Sequence, residues 1–366
     1  MTTLLHLIRW FVGLLFIFSG LVKANDPLGL SYKMQEFFEL WKWHALDPYA
    51  LVSSVLLNSF EIIAGVALLA GWGFRYISWL LLLLILFFTA LTGYTYVTGM
   101  PKNCGCFGDC LPISSGFSFA KDVLLTLLIG ALLFLYKDQD KKSPSLQKSW
   151  PVIFAALFSI GLQVVALLYL PLVDCLPYKE GVSISEGMKM PSNAVADSFV
   201  IEFTYRKSGK EIRFPASDFP ADFSSQYEFV KREDRLVRKG TNNEPPIKGF
   251  VLNGLSGADS TEAILQTDRA IWVWAASVAS FDSWGPQLTR LAAVAAEKKL
   301  PVFFITAQPE KASAQLAANK LTSILVYSCD LKAIQTAARV DPTVMLVNKG
   351  VITKKRSLRN WKRVIE

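Results

Sequence analysis

Apolar residues crowd the first half of the sequence, and this uneven distribution limits the fold more than any other feature. Of the 366 residues, 52% are hydrophobic, and most of the charged residues stand in the second half. A transmembrane helix needs roughly 20 consecutive apolar residues. Five runs of about that length cover residues 4–22, 50–71, 76–97, 117–136 and 150–172. We therefore expect an α-helical membrane bundle followed by a soluble domain.

The distribution of lysine predicts how the bundle lies in the membrane. Four lysines stand in the linker between the fourth and fifth runs: Lys137, Lys141, Lys142 and Lys148. Cytoplasmic loops carry an excess of Lys and Arg, so this linker is expected inside the cell. Counting spans from it places the amino terminus in the cytoplasm and everything after residue 172 outside. The first run lacks a small-residue cleavage pattern at its end, so it is expected to remain as a span.

Outside the apolar runs, the sequence predicts shorter elements. Residues 34–43 are rich in aromatic and charged side chains, which predicts a short helix at the headgroup level or packed on the bundle. Residues 197–203 and 211–214 predict a β-hairpin, and residues 224–240 an amphipathic connector. An α/β domain with parallel strands is expected beyond that point. Its predicted strands and helices are residues 270–275, 284–298, 300–306, 311–319, 324–327, 343–348 and 351–354.

Charge and histidine content exclude several function classes. The net charge of +8 is spread over the loops and the soluble half and does not form one basic tract. This spread argues against a nucleic-acid partner. The chain has 2 histidines, which argues against a His-based metal centre or a Ser-His triad. The lipid membrane is the partner that the composition predicts.

The densest group of reactive side chains lies in the cysteine loop, residues 98–116, between the third and fourth runs. It contains Cys104, Cys106 and Cys110 in a Gly-rich stretch. Cys175 follows the fifth run and is expected on the same outer side, where thiols tend to become disulfides. Three interpretations stay open. The four cysteines form a catalytic exchange relay, they form static disulfides, or their thiolates bind copper(I) or zinc.

The pairing of the cysteines also stays open. A bond between Cys104 and Cys106 would close a tight ring, whereas a bond from either of them to Cys110 would be less strained. Cys329 stands alone after a predicted strand and is expected to be buried as a small apolar residue. A bridge from Cys329 to Cys175 is the alternative.

Glu61 lies about 12 residues into the second run, at a depth where a carboxylate needs a partner. Arg9 in the first run is the expected counter-charge. In the functional interpretation, Glu61 and Arg9 line a pocket for a quinone or a proton; in the structural one, they are a buried pair that fixes helix packing. Lys23 and the Lys121–Asp122 pair stand at outer span ends. They are expected to extend to the headgroups or to lower the pKa of a nearby thiol.

Three segments of the membrane half carry a resemblance to known families. They are Arg9 with Phe16-Ile17-Phe18-Ser19-Gly20-Leu21-Val22-Lys23, then Glu61-Ile62-Ile63-Ala64-Gly65, then Asn103-Cys104-Gly105-Cys106-Phe107-Gly108. Together they make residues 1–136 resemble the DoxX and methylamine-utilisation E (MauE) membrane proteins. These families are similar in architecture to quinone-linked thiol oxidoreductases such as vitamin K epoxide reductase, and MauE is associated with maturation of a disulfide-rich dehydrogenase subunit. The resemblance implies envelope disulfide chemistry, with a quinone as the cofactor it suggests.

The second resemblance lies in the soluble half. Its segments are Pro245-Pro246-Ile247-Lys248-Gly249-Phe250, Trp272-Val273-Trp274-Ala275 and Asp341-Pro342-Thr343-Val344-Met345-Leu346-Val347. They resemble thioredoxin-like domains of TlpA-like envelope proteins and peroxiredoxins over residues 243–366, with Pro342 at the position of the cis-proline. Residues 276–282 contain no cysteine where the redox Cys-x-x-Cys should stand. Because thiolate attack needs a sulfur there, the resemblance implies a domain without thioredoxin activity.

These observations predict a division into four parts and two functions. The parts are a membrane domain over residues 1–136, a cytoplasmic linker and fifth helix over 137–172, a small β-containing connector over 173–242 and a thioredoxin-like domain over 243–366. The whole arrangement resembles a Bacteroidetes-type DoxX fusion family of unknown function. One predicted function is an inner-membrane thiol–disulfide oxidoreductase or maturation factor for periplasmic client proteins. The other is a non-catalytic scaffold that binds such proteins through its redox-inactive domain.

Overall fold

The computed structural model describes residues 2–101, 105, 107–135, 146–238, 240 and 242–366. Five of its helices are long and apolar enough to cross a membrane. They are α1 (Thr2–Ala24), α3 (Ala50–Ala70), α4 (Phe74–Thr98), α5 (Ser115–Leu135) and α6 (Leu146–Tyr169). The five spans predicted from the apolar runs are confirmed to within a few residues, because length and continuous apolarity are the signals that such helices require.

The helix expected between the first two spans is α2 (Pro27–Leu40), and a short 3₁₀ turn (His44–Tyr49) follows it. The Asp26 side chain caps α2 by accepting a hydrogen bond from the Gly29 backbone N–H at 3.0 Å. The Ser54 hydroxyl of α3 donates to the carbonyl oxygen of Pro27 at 2.7 Å. Helix α2 is therefore packed on the bundle.

Small residues set the closest helix contact of the bundle, between α1 and α3. A Cβ atom at Gly65 would come within 2.7 Å of the Gly13 carbonyl oxygen, and one at Gly20 within 2.7 Å of Ile62. Backbones approach this closely in membranes because small residues allow good van der Waals packing without a hydrophobic drive. Large apolar side chains such as Leu83 and Phe134 point outward instead. The outer surface of the bundle thus suits contact with lipid.

One end of the bundle, which we call the rim, gathers residues 25–49, 105, 107–113 and 170–178. The Asn25 side chain exchanges two hydrogen bonds with the backbone of Val173, at 2.9 and 3.0 Å. These bonds hold the end of α1 against the chain that leaves α6. The described part of the cysteine loop and the start of the second half consequently meet at the same end, as the span count predicts.

The second half contains a six-stranded sheet in the order β4-β7-β6-β5-β8-β9. Its strands are β4 (Asn253–Gly254), β5 (Arg269–Ala275), β6 (Val302–Thr306), β7 (Leu325–Ser328), β8 (Thr343–Asn348) and β9 (Val351–Ser357). Its helices are α8 (Thr261–Leu265), α9 (Phe281–Glu297), α10 (Pro309–Ala318), α11 (Leu331–Ala337) and α12 (Lys362–Ile365). The parallel strands expected from the alternating pattern are β5, β6 and β7, whereas β4, β8 and β9 run antiparallel to their neighbours.

Strand β5 lies at the centre and separates two apolar cores. Ile271 and Val273 face one core, with α9 and α10, while Trp272 and Trp274 face the other. Alternate side chains of a strand point to opposite faces, so a strand that is apolar throughout must be covered on both sides. The burial of residues 270–275 follows from that pattern, while Arg269 at the start of the strand is exposed.

The chain between α6 and the sheet is attached to the sheet edge. The Gly181 N–H donates to the Ile352 carbonyl at 2.7 Å, and the Ile352 N–H donates to the Val182 carbonyl at 3.0 Å. Tyr178, and Ile184 of the short helix α7 (Ile184–Gly187), lie in the core beside Trp272 and Trp274. This segment therefore connects the rim directly to the six-stranded sheet.

A separate three-stranded antiparallel sheet has the order β2-β1-β3. Its strands are β1 (Ser198–Lys207), β2 (Lys210–Pro215) and β3 (Glu228–Arg238). The predicted hairpin of β1 and β2 is confirmed, with Ser208 and Gly209 at positive φ in the two-residue turn. Strand β3 lies in the stretch expected as an amphipathic connector, and aromatic and β-branched residues such as Phe229 and Val230 favour its pairing with β1.

Candidate functional site

A disulfide at the rim joins the cysteine loop to the second half of the chain. Cys110 and Cys175 are bonded, with their Cα atoms 4.9 Å apart and a sequence separation of 65. Both cysteines are partly exposed. Cys110 ends the turn over residues 107–110, and Cys175 follows α6. Cys104 and Cys106 lie outside the described residues, and the pairing of Cys110, which the sequence left open, is with Cys175.

Cys329 is free and buried, in line with the expectation of a small apolar core residue. The alternative bridge to Cys175 is wrong, since Cys175 is bonded to Cys110. Burial raises the pKa of the Cys329 thiol to about 11. A protonated, shielded thiol is a poor nucleophile.

We therefore expect Cys329 to resist alkylation in the folded protein at mildly alkaline pH and to react once the protein is unfolded. Mass spectrometry after iodoacetamide treatment, with and without denaturant, measures this. Rapid labelling of folded protein would contradict the burial of this thiol.

A cleft of about 1160 Å³ separates the rim from the six-stranded-sheet domain. The rim contributes Tyr32, Lys33, Glu36 and Asp109, and the other wall contains Lys248, Lys332 and Arg339. Cys175 is part of the cleft wall. One residue of the disulfide therefore belongs to the surface of the cleft.

Arg339 fastens the sheet domain to the rim across this cleft. Its side chain is 6% exposed, and its Nε donates to Asp26 Oδ2 at 2.8 Å. Its Nη2 donates to Asp109 Oδ2 at 2.5 Å, next to Cys110, and the guanidinium lies 5.3 Å from the centre of the Tyr32 ring. A planar guanidinium suits such a position because it donates several hydrogen bonds and stacks on an aromatic ring. Nothing in the local sequence marks Arg339, so sequence reasoning missed it.

Replacing Arg339 by methionine is expected to lower the stability of the docked arrangement by about 2 kcal/mol, the usual loss for hydrogen bonds between charged groups. In the variant, water can hydrate the Asp109 carboxylate, which is 40% exposed, and this limits the loss of stability. Thermal unfolding of the full chain in lipid nanodiscs measures the effect. The matched control is Arg206→Met, whose ion pair with Glu211 is half exposed and should contribute little. Equal melting temperatures for the two variants would contradict the role of Arg339.

A second contact joins the sheet domain to the chain leaving α6. The Lys355 ammonium, 3% exposed, donates to Asp174 Oδ2 at 2.8 Å, and the Lys355 N–H donates to Glu180 Oε1 at 2.7 Å. Burial lowers the pKa of Lys355, and the Asp174 carboxylate opposes that effect. Asp174 precedes Cys175 and Asp109 precedes Cys110. The Lys355–Asp174 and Arg339–Asp109 ion pairs therefore lie next to the two ends of the disulfide.

Glu61 is buried within the bundle, but its partner is not the predicted one. Its Oε1 accepts a hydrogen bond from the Lys23 ammonium, which is also buried. Arg9 instead donates to the carbonyl oxygens of Leu68 and Leu69, each at 2.7 Å, where α3 ends. The expected Arg9–Glu61 pair is therefore wrong, and so is the expectation that Lys23 extends to the headgroups. The register of α1 against α3 decides whether Arg9 or Lys23 meets Glu61, and the sequence does not specify that register.

The Asp341 carboxylate binds the backbone of the loop that follows β5. Asp341 Oδ1 and Oδ2 accept hydrogen bonds from the backbone N–H groups of Ala276 and Ser277, at 3.0 and 3.2 Å. The following peptide bond, Asp341–Pro342, is cis, as the resemblance implies for Pro342. No thiol lies in this loop, since residues 276–282 contain no cysteine.

The membrane half of the molecule is thus a bundle with the Lys23–Glu61 pair inside it and the described part of the cysteine loop at the rim. Residues 1–135 match the methylamine utilisation protein MauE family. This match covers the four MauE-like helices α1, α3, α4 and α5 and ends before α6. Residues 199–239, which contain the three-stranded sheet, match a domain of unknown function (DUF8463).

A curated relative adds a second comparison. The chain is 27% identical over 141 residues to Protein TlpB of Flavobacterium psychrophilum. The aligned part covers 38% of this chain and 38% of the relative, so the chain spans well under half of that protein's length. No solved structure matches the chain. The MauE match supports a membrane domain similar to MauE over residues 1–135.

Proposed function

We propose that this chain is an envelope membrane protein that exchanges its Cys110–Cys175 disulfide with the thiols of client proteins bound in the cleft. The observation that carries the proposal is the position of this bond. It is partly exposed, it lies between the MauE-like bundle and the sheet domain, and one of its two residues, Cys175, lines the cleft. A disulfide that only stabilised the fold would not need to face a cleft of this size.

The exchange proceeds in two balanced steps. A client thiolate attacks Cys175 Sγ, the Cys110–Cys175 bond breaks, and Cys110 leaves as a thiolate that takes up a proton. A second client thiolate then attacks the mixed disulfide and releases Cys175. The client loses two electrons and gains a disulfide, while Cys110 and Cys175 gain the two electrons and become thiols. Cys104 and Cys106 remain proposed partners for passing those electrons on, and they lie outside the described residues.

The proposed location is the bacterial inner membrane, with the amino terminus in the cytoplasm and the rim and sheet domains in the periplasm. Disulfides persist in such an oxidising compartment and are rare in the cytosol. The presence of Cys110 and Cys175 on one end of the bundle supports this orientation. The client class is therefore periplasmic or envelope proteins with exposed cysteine pairs.

A quinone does not fit at the residues predicted to bind it. The cavity beside Glu61 has a volume of about 20 Å³, whereas sites for small organic ligands typically have roughly 300–1,000 Å³. Arg9 is directed to the end of α3 and does not line that cavity. No step of the proposed exchange therefore passes through a quinone at Glu61.

The proposal is tested with the full chain in lipid nanodiscs and a synthetic peptide that carries two reduced cysteines. Alkylation and mass spectrometry follow both partners. We expect the peptide to become oxidised as Cys110 and Cys175 become alkylated, in a one-to-one ratio. Cys110→Ser and Cys175→Ser should abolish the transfer, and Cys329→Ser should leave it unchanged. A wild-type bond that survives an excess of reduced peptide would sink the proposal.

A second function, a non-catalytic scaffold, is favoured by one observation in the sheet domain. The loop after β5 carries no thiol, and the Asp341 carboxylate occupies its N–H groups. In this alternative, the cleft binds clients and the disulfide only holds the two domains together. Peptide binding that is equally tight in the wild type and in Cys110→Ser, without any transfer of electrons, would favour it.

A further inference from the structure

Two ion pairs lie close together inside the bundle. Glu61 pairs with Lys23, and Asp122 pairs with Lys121. The carboxylates of Glu61 and Asp122 and the ammonium of Lys23 are at most 3% exposed. The Thr92 hydroxyl of α4 donates to Asp122 Oδ2 at 3.0 Å. Charges at this depth are expensive and usually mark a functional site.

The Glu61 carboxylate has an unused acceptor. Its Oε1 accepts from Lys23, but its Oε2 is buried without a hydrogen-bond partner among the described residues. A buried polar atom without a partner costs about 1–3 kcal/mol. Such an atom calls for a donor that the described chain does not provide.

A small cavity lies between the two ion pairs. Its volume is about 20 Å³, and its wall includes Glu61, Lys23, Asp122, Lys121 and Ser19. A water molecule needs roughly 10–15 Å³ of such space and two to four polar partners. The cavity meets both conditions for one water molecule.

We propose that this cavity binds one water molecule, which joins the two ion pairs into a single proton-exchanging site within the bundle. The water donates one hydrogen bond to Glu61 Oε2 and contacts the Lys121–Asp122 pair. When Asp122 holds a proton as a carboxylic acid, it gives that proton to the water, and the water donates another to Glu61 Oε2. Asp122 becomes a carboxylate, Glu61 becomes a carboxylic acid, and the water is unchanged. The network then holds one proton more on the Glu61 side and one fewer on the Asp122 side.

The site has a direct contact with the rim. The Lys121 ammonium lies 5.2 Å from the centre of the Phe107 ring, which belongs to the cysteine loop. The Lys23 ammonium lies 5.2 Å from the Phe88 ring, deeper in the bundle. The two lysines thus mark an outer and an inner side of the cavity. This inference is independent of the proposed thiol exchange, since it uses no cysteine.

Carbodiimide labelling tests the proposal, because a hydrophobic carbodiimide adds to a carboxyl group only when that group is protonated. The full chain in nanodiscs is treated with dicyclohexylcarbodiimide across neutral and mildly alkaline pH, and peptides are mapped by mass spectrometry. We expect Glu61 to be labelled. Asp122→Asn should lower the rate of that labelling about tenfold, because an amide cannot pass a proton to the water. The control Thr95→Val removes a buried hydroxyl on α4 outside the cavity and should have no effect.

A second variant keeps both ion pairs and removes only the water. Ser19→Val places two methyl groups at the cavity wall, and the rate of Glu61 labelling should then no longer respond to Asp122→Asn. Absence of Glu61 labelling at every pH would overturn the proposal. So would a wild-type labelling rate in Asp122→Asn, since both results describe two isolated structural pairs.

Discussion

Cys110→Ser is expected to trap an activated client peptide on Cys175 as a stable mixed disulfide. Cys175 lines the cleft and is left with a free thiol, whereas the resolving thiol of Cys110 is gone. The reciprocal variant, Cys175→Ser, leaves its free thiol on Cys110 and should trap far less peptide. Gel-shift analysis with a peptide that carries a mixed disulfide with a good leaving thiol measures both yields.

The asymmetry between the two variants is the informative result. Cys329→Ser serves as the control and should neither trap peptide nor alter the disulfide, because that thiol is buried. Equal trapping on Cys110 and Cys175 would mean that the client does not approach from the cleft. No trapping in either variant would mean that the bond is a structural staple.

Lys23→Met is expected to destabilise the bundle by about 3–5 kcal/mol, because it leaves the Glu61 carboxylate buried without its counter-charge. Removing both charges in Lys23→Met/Glu61→Met should recover most of that loss, since apolar residues of similar volume replace a buried ion pair at little cost. Unfolding in mixed micelles, followed by tryptophan fluorescence, measures the wild type, Lys23→Met, Glu61→Met and the double variant.

The outcome of this cycle separates two accounts of Glu61. A strongly non-additive result shows that Lys23 and Glu61 act on each other, as their contact requires. If Lys23→Met were as stable as the wild type, Glu61 would have another partner, or would be neutral without cost. An Arg9→Met variant is the matched control; its stability change should be additive with that of Glu61→Met, because Arg9 contacts the end of α3 instead.

The spans could be predicted because their signal is local. A run of apolar residues of the right length fixes a membrane helix whatever the rest of the chain does. The partner of Glu61 could not be predicted in the same way. Arg9 and Lys23 lie on the same helix, and the choice between them depends on the sliding register of α1 against α3, which close contacts at Gly13, Gly20 and Gly65 determine.

The soluble half shows the same limit. The β1–β2 hairpin was predictable from Ser208-Gly209 between alternating residues, since the turn and the strands are adjacent in sequence. Strand β3 was not predicted, because its charged residues indicated only an amphipathic connector, while pairing with β1 decides its conformation. Contacts between the membrane half and the soluble half could not be predicted, because local sequence patterns do not indicate them. Arg339 is 230 residues from Asp109, and no pattern around either residue indicates the other.

The most direct test of the central claim is the redox state of Cys110 and Cys175 in living cells. Cells that express the full chain receive a short pulse of a membrane-impermeant reductant and are then washed. At intervals they are treated with an impermeant maleimide mass tag, with Cys329 as the internal control. We predict that Cys110 and Cys175 become tagged after the pulse and return to the protected state during the chase. If both stay protected throughout the pulse, the bond is a static staple and the exchange function is contradicted.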